Sequence, residues 1–255
     1  MIIATWNVNS IRMRLERLLE WLQRRAPDIV CLQETKVVDE DFPADPIRGL
    51  GYHCVYRGEK SYNGVAVLAR SAILDPVLSL PGDPGDAECR FIDCTIGGIR
   101  VMNLYAPNGG EVGSPKYDYK LRWFRRLRDY LDAGLDPAGE VVLCGDFNVA
   151  PDDRDVWDPE LWRGQILFSE PEKEALRGLL EWGLEDALRL HHSEGGLYTW
   201  WDYRGGAFHR GWGVRIDHIL LSRPLAKRCT AVEIDRNERK GKKPSDHAPV
   251  LATIE

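Results

Sequence analysis

Arg90-Phe91-Ile92-Asp93-Cys94-Thr95-Ile96-Gly97-Gly98-Ile99-Arg100-Val101-Met102-Asn103-Leu104 decides the fold class. Two short apolar runs flank a Gly-Gly pair. Glycine reaches positive φ without a Cβ clash, so the pair reads as a tight hairpin turn joining antiparallel strands. Outward from it, Ile2–Thr5, Ile29–Leu32, Gly64–Ala69, Val141–Cys144, Ile216–Leu221 and Val250–Ile254 read as further strands. Three helical stretches interrupt them. The first spaces Leu15, Leu18, Leu19 and Leu22 along one face and stops before Pro27. The second, Tyr117 to Leu131, puts Leu121, Phe124, Leu127 and Leu131 on one side, with Lys120, Arg122, Arg125, Arg126 and Arg128 around the rest. The third, Glu172 to Trp182, carries Leu176, Leu179 and Leu180. Many strands and few, uneven helices argue against a regular βαβ repeat. They predict a layered α+β fold, two sheets packed together with helices outside. Pro81–Glu88 reads as a loop and Pro151–Phe168 as a long excursion. No Pro/Ser-rich linker divides the chain, so residues 1–255 are expected to form a single domain.

Composition agrees with a globular chain. Of 255 residues, 44% are hydrophobic and 29% charged, which excludes bulk disorder, collagen and a disulfide-framed miniprotein. Lys and Arg total 34 against 40 Asp and Glu, a formal charge of −6. An acidic balance does not point to nucleic acid, because phosphate neutralisation uses Lys and Arg. Net charge, however, ignores where charges sit and ignores bound metal. The six cysteines have no CxxC spacing, and several lie in apolar runs, as buried free thiols in a reducing compartment do. The N-terminus has no basic start followed by an apolar stretch, and no run approaches the roughly 18 apolar residues of a membrane span. A soluble cytoplasmic protein is expected.

Several strands end abruptly in acid, amide or imidazole. Ile29–Leu32 leads into Gln33-Glu34, and Val141–Cys144 into Gly145-Asp146-Phe147-Asn148. Ala4-Thr5-Trp6-Asn7 ends in the same way, a weak internal echo of the second. A strand tip holds a side chain rigidly while exposing it. Taken alone, Glu34 could be a solvated turn acid, and Asp146 and Asn148 could cap a turn. Asp217 is harder to dismiss, because a carboxylate inside an apolar strand needs a partner. His218 follows it and faces the other side. His191, His192 and His209 read as surface residues. His247, in Ser245-Asp246-His247, is the remaining candidate partner, and an Asp217–His247 pair would orient or charge the imidazole. The bland alternative is a structural hydrogen bond. Glu34 and Asp246, with Asn7 and Asn9 as carbonyl donors, form an oxygen set suited to Mg²⁺ or Mn²⁺ and not zinc. Neither a P-loop nor a dinucleotide fingerprint is present.

Tyr198-Thr199-Trp200-Trp201-Asp202-Tyr203 clusters four aromatics before Arg204. Adjacent Trp residues cannot both point inward, so one can serve as a stacking platform, or simply as a rim beside a core Trp. Arg236–Lys243 has five bases and one acid, a solvated loop or a phosphate contact beside His247.

In this order, Trp6-Asn7-Val8-Asn9-Ser10-Ile11-Arg12, Leu32-Gln33-Glu34-Thr35-Lys36, Asn103-Leu104-Tyr105-Ala106-Pro107-Asn108, Gly145-Asp146-Phe147-Asn148, Trp200-Trp201-Asp202-Tyr203-Arg204, Arg215-Ile216-Asp217 and Ser245-Asp246-His247-Ala248-Pro249 resemble the exonuclease III family of apurinic/apyrimidinic endonucleases. The resemblance spans essentially the whole chain. It implies a four-layered α/β sandwich of two mainly antiparallel sheets. It also implies a Mg²⁺-dependent phosphodiesterase, with Mn²⁺ substituting, that cuts double-stranded DNA 5′ to abasic sites and processes blocked 3′ ends, as a monomer. On this resemblance Glu34 is the principal metal carboxylate, with Asn7, Asn9 and Asp246 beside it. Asp146 orients or deprotonates the attacking water with Asn148. His247, paired with Asp217, contacts the scissile phosphate, and Tyr105 and Asn108 are further donors there. Trp200, Val214 and Ile216 line a slot for a flipped-out sugar, where Val214 replaces a larger residue. Lys120 and Arg204 are DNA contacts, and the Arg/Lys clusters at 120–128 and 236–243 form a basic face. The alternatives are another phosphoesterase of the superfamily, of phosphoinositide phosphatase or sphingomyelinase type, or a catalytically silent DNA-binding protein.

Overall fold

The computed structural model describes all 255 residues. Twelve strands run in chain order: β1 (Ile2–Asn7), β2 (Ile29–Gln33), β3 (His53–Arg57), β4 (Val65–Ala69), β5 (Ile73–Val77), β6 (Phe91–Ile96), β7 (Ile99–Tyr105), β8 (Val141–Asp146), β9 (Leu184–Asp186), β10 (Asp217–Ser222), β11 (Cys229–Ile234) and β12 (Val250–Ile254). The α-helices are α1 (Ile11–Arg25), α2 (Ala44–Arg48), α3 (Pro115–Gly134), α4 (Pro159–Trp162), α5 (Glu170–Glu181), α6 (Ala187–His191), α7 (Ala207–Arg210) and α8 (Arg223–Ala226).

The strands form two six-stranded sheets, in the orders β11-β12-β1-β2-β4-β3 and β5-β6-β7-β8-β10-β9. Each is antiparallel except for one central parallel pair, β1–β2 in the first and β7–β8 in the second. The β6–β7 hairpin closes at Gly97-Gly98 as its sequence predicts, both glycines having positive φ. Four strands carry no clean apolar run, and they are β3, β5, β9 and β11. These are the four sheet edges. An edge strand has solvent on one flank and blunts itself with polar residues, so β5 holds Pro76 and three exposed positions.

Burial divides into three slabs. Ile3, Cys31 and Val67 of the first sheet pack against Cys94, Val101 and Cys144 of the second. Trp6, Leu32 and Leu68 on the outer face of the first sheet meet Leu18, Trp21 and Leu22 of α1. Met102, Leu104 and Leu143 on the outer face of the second meet Trp123, Phe124 and Leu127 of α3 and Leu176 of α5. The layers are therefore helix, sheet, sheet, helix, the expected sandwich. Trp123 takes the core position on α3 that the pattern assigned to Leu121, which is half-buried. All six cysteines are free, five of them buried. No helix is long and apolar enough to cross a membrane.

Candidate active site

The strand ends converge at one rim of the sandwich. Register does this: Asp217 lies opposite Asp146 across the antiparallel β8–β10 pair, and Tyr105 lies opposite Asp146 across the parallel β7–β8 pair. Gly145 makes the parallel pair possible, because a Cβ there would stand 1.9 Å from the Leu104 carbonyl oxygen. The other sheet brings Asn7 at the tip of β1 and Glu34 just past β2.

Asn7 joins the sheets. Its Nδ2 donates to Glu34 Oε1 at 2.8 Å and to Asp146 Oδ2 at 2.9 Å. Ser245 Oγ donates to the Asn7 carbonyl at 2.7 Å. His247 Nδ1 meets Asp217 Oδ2 at 2.8 Å, and its Nε2 faces Asp146 Oδ2 at 3.8 Å. The Asn148 amide N–H donates to Asp146 Oδ1 at 2.9 Å, and Asn108 Nδ2 donates to Asn148 Oδ1 at 3.2 Å. Asp246 accepts from Asn9 Nδ2 at 2.8 Å and Trp200 Nε1 at 3.0 Å. Tyr105 stands beside Glu34 and Asp146, with the Arg90 guanidinium 4.7 Å from its ring centroid. Asn9, Ser10, Glu34, Lys36 and Asn148 all have positive φ. Such residues each cost on the order of 1–3 kcal/mol and persist where the surroundings over-determine them. Here Ser10 N–H donates to the Glu34 carbonyl at 2.7 Å and Ile11 N–H to that of Thr35 at 3.0 Å, which zips the two loops together.

Burial and neighbouring charge set the protonation states. Burial and the Asp217 charge push Asp146 up to about 7, against the pull of His247. Burial alone would lower His247, but Asp217 and Asp146 raise it to about 10, so the ring is an imidazolium at neutral pH. Burial works against Glu34 and Asp246 as carboxylates. Even so Lys36 and Asn7 hold Glu34 below its ordinary value, and His247, Asn9 and Trp200 do so for Asp246. Burial and the adjoining acids raise Tyr105 well above its ordinary value, so it remains a donor.

Donor atoms of Glu34, Asp146 and His247 lie within 4.8 Å of one another, as metal ligands do. A doubly protonated imidazole offers no lone pair, which leaves the carboxylate oxygens of Glu34 and Asp146, bridged by the Asn7 amide. An oxygen-only set of this kind fits a hard divalent cation.

Residues 4–247 match the endonuclease/exonuclease/phosphatase family. Exodeoxyribonuclease III of Haemophilus influenzae is 34% identical over 260 residues, covering 97% of each chain. Two solved structures superpose over 100% of this chain and 99% of their own. An AP endonuclease from Archaeoglobus fulgidus has 43% identity and a TM-score of 0.97. A 3′ phosphatase from Neisseria bound to a product DNA hairpin has 44% and 0.96. The chain belongs to the exonuclease III branch of this family.

Other positions that the family resemblance singled out are distributed differently. Trp200 is half-buried at the rim while Trp201 is fully buried, the core-and-rim division expected of adjacent tryptophans. Val214 pairs with Trp200 through backbone hydrogen bonds of 2.9 Å, but its side chain is fully buried with Val156, Leu167, Phe168 and Ile216. It supports Trp200 from within and presents no surface to a sugar. Arg204 is an exposed side chain, 3.4 Å from Asp202. Lys120 is not a DNA contact. It is fully buried, donating to the carbonyls of Asn148 at 2.6 Å and Asn108 at 3.1 Å and ion-paired with buried Glu172. An aliphatic stem can bury alongside apolar helix neighbours when its ammonium finds partners. The expected basic face is thinned accordingly. Arg126 is bound to Asp86 and the Leu80 carbonyl, and Arg239 is buried under the Ser245 carbonyl. Arg122, Arg125, Arg236, Lys240, Lys242 and Lys243 remain exposed. Lys36 and Arg90 were not among the candidate residues. A lysine two positions after a candidate metal carboxylate is the signal that marks Lys36, whereas Arg90 is recognisable only once β6 and β7 pair.

Proposed function

We propose that this chain is a divalent-metal-dependent DNA-repair phosphodiesterase that incises double-stranded DNA 5′ to abasic sites. We further assign it 3′→5′ exonuclease and 3′-phosphatase activity on blocked 3′ ends. The observation that carries the reading is an acid–imidazolium pair of matched charge, Asp146 facing His247 at 3.8 Å. Phosphodiester hydrolysis needs a base for the attacking water and positive charge on the phosphate oxygens. Asp146, raised to about 7, is poised as the base, and its Oδ1 is fixed by the Asn148 N–H. His247 presents Nε2–H to a non-bridging oxygen while Asp217 fixes Nδ1–H. Asn148, Asn108 and the Tyr105 hydroxyl supply further polar contacts. Mg²⁺, with Mn²⁺ able to replace it, would be held by Glu34 and Asp246 with Asn7 and Asn9 beside them, and when bound neutralises charge on the phosphate and leaving oxygen. An abasic nucleotide has no base to unstack, so extruding it is cheap. We assign residues 1–255 to one domain, supported by the core shared between the sheets, and read the chain as a monomer of a reducing, cytoplasmic compartment, the kind in which six free thiols persist.

A duplex with one abasic analogue tests this, beside 3′-phosphate and undamaged duplexes. Incision with Mg²⁺ is expected to stop in EDTA. Asp146→Asn is expected to cut the rate by roughly 10²–10⁴-fold with the fold intact. Binding without metal-dependent incision overturns the reading.

A further inference from the structure

Lys36 is a cation inside the oxygen cluster that no step above uses. Its Nζ lies 2.6 Å from Glu34 Oε2 and 2.6 Å from Asn9 Oδ1. Both are hard oxygens of the kind a divalent ion takes. Asn9 passes the link on, its Nδ2 donating to Asp246 Oδ1 at 2.8 Å. One ammonium thus connects, through Asn9, the two carboxylates assigned to the ion. Lys36 is no freely swinging surface lysine. Its side chain is 27% exposed, its backbone has φ of 55°, and its N–H donates to the Asn63 carbonyl at 3.0 Å. Gly64 lies against the same turn, where a Cβ would meet Thr35 Oγ1 at 2.1 Å.

We propose that Lys36 is a tethered counter-ion: its ammonium competes with the divalent cation for Glu34 and Asn9, and so keeps that cation exchangeable. The proposal rests on the reading of Glu34 and Asp246 as the ion's carboxylates. Like charges repel strongly at these separations in a partly buried site, so an arriving ion must displace the ammonium or bind more weakly beside it. Without an ion, the ammonium offsets the repulsion between the acids. Lysine suits this exchange. It is a point charge on a flexible stem, whereas arginine would grip the carboxylate with a two-pronged hydrogen bond.

The test is Mn²⁺ binding to the full chain without DNA, read by the paramagnetic resonance signal of free Mn²⁺ at fixed pH. Lys36→Met and Lys36→Gln are expected to bind Mn²⁺ about tenfold tighter than the natural chain. Lys36→Gln keeps polar contacts without the charge and separates charge from packing. Lys36→Arg is expected to bind more weakly, and Glu34→Gln to lose binding. In EDTA, Lys36→Met should melt lower and gain more from added Mn²⁺ than the natural chain does. Unchanged or weaker Mn²⁺ affinity in folded Lys36→Met and Lys36→Gln overturns the proposal and leaves the ion assignment standing. Failure of the natural chain to bind Mn²⁺ saturably overturns both.

Discussion

His247 owes its charge chiefly to Asp217, which accepts its Nδ1–H at 2.8 Å from the adjoining sheet, with Asp146 and Asp246 adding to it. Asparagine there keeps the shape and removes the charge. Asp217→Asn is therefore expected to bring the imidazole down from about 10 toward an ordinary histidine value and to slow incision by roughly 10²–10⁴-fold. An NMR titration of the ring and a single-turnover assay check the two halves, and an unchanged ring titration refutes the pairing. Lys120 and Arg204 make an opposed pair of predictions. Removing buried Lys120 leaves the Glu172 carboxylate without its counter-charge, though still hydrogen-bonded to Leu167 and Ser169, so Lys120→Met should cost about 3–5 kcal/mol in urea unfolding. It should leave unchanged the slope of DNA affinity against salt among molecules that remain folded. Arg204→Ala should leave stability unchanged and, if Arg204 meets a phosphate, shallow that slope by about 0.9. The reverse pattern would restore Lys120 as a DNA contact.

At the scale of elements, β10 is anchored by a buried polar network behind the site. Arg215 is fully buried between Asp155, at 2.5 Å, and Asp186, at 2.8 Å. His218 faces Arg215 through Nδ1 at 3.0 Å and so must donate from Nε2, which meets the Val149 carbonyl at 2.8 Å. That bond holds the turn carrying Asn148. Burial and the Arg215 charge depress His218 to about 4. The folded form excludes a proton that the unfolded chain takes up near the ordinary value of about 6.5. Stability from this group is complete above that value and is lost as pH falls toward 4, by on the order of 3 kcal/mol. His218→Gln, which does not titrate, should flatten that acid limb in denaturant melts taken from about pH 7 down to about pH 4. An unchanged acid limb would refute the role. Legibility also varied by element. Interior strands announced themselves as apolar runs. The edges β3, β5, β9 and β11 did not, because only one flank of each needs burial.

Across the whole molecule, a second polar contact besides Asn7 ties the two sheets together. Asn103 on β7 donates to the carbonyls of Leu32 at 2.9 Å and Ala66 at 2.8 Å, and accepts from Gln33 Nε2 at 2.8 Å. All of this is buried within the sandwich, just inward of Glu34 on one sheet and Tyr105 on the other. Asn103→Leu deletes these bonds between the sheets, although Leu32 and Ala66 stay paired in the β2–β4 ladder and Gln33 Nε2 keeps Thr5 Oγ1 and the Cys31 carbonyl. At about 1 kcal/mol for each net hydrogen bond lost, it should cost roughly 3 kcal/mol in unfolding. It should also weaken Mn²⁺ binding, because Glu34 and Asp146 lose their mutual placement. Full stability with weakened Mn²⁺ binding, or the converse, would show that the contact does not couple core to site. Charge is likewise a property of the whole. The balance of −6 includes Glu34, Asp146, Asp217 and Asp246, which the site holds at its centre.

By itself the sequence determined which residues end strands in acid, amide or imidazole, and that two sheets of mixed strands must bury them. Alternation and turn chemistry are local, so the chain states them locally. The tertiary structure alone decided which charges are free. Only the position of Lys36 two residues after Glu34 separates it from Lys120 in the sequence, yet one is buried under carbonyls and the other reaches into the acid cluster. Their partners come from Glu172, 52 residues away, and from the Asn9 turn, 27 residues away. A lysine's environment is set mostly by what folds against it, and the sequence records at most its near neighbours, as Glu34 is to Lys36.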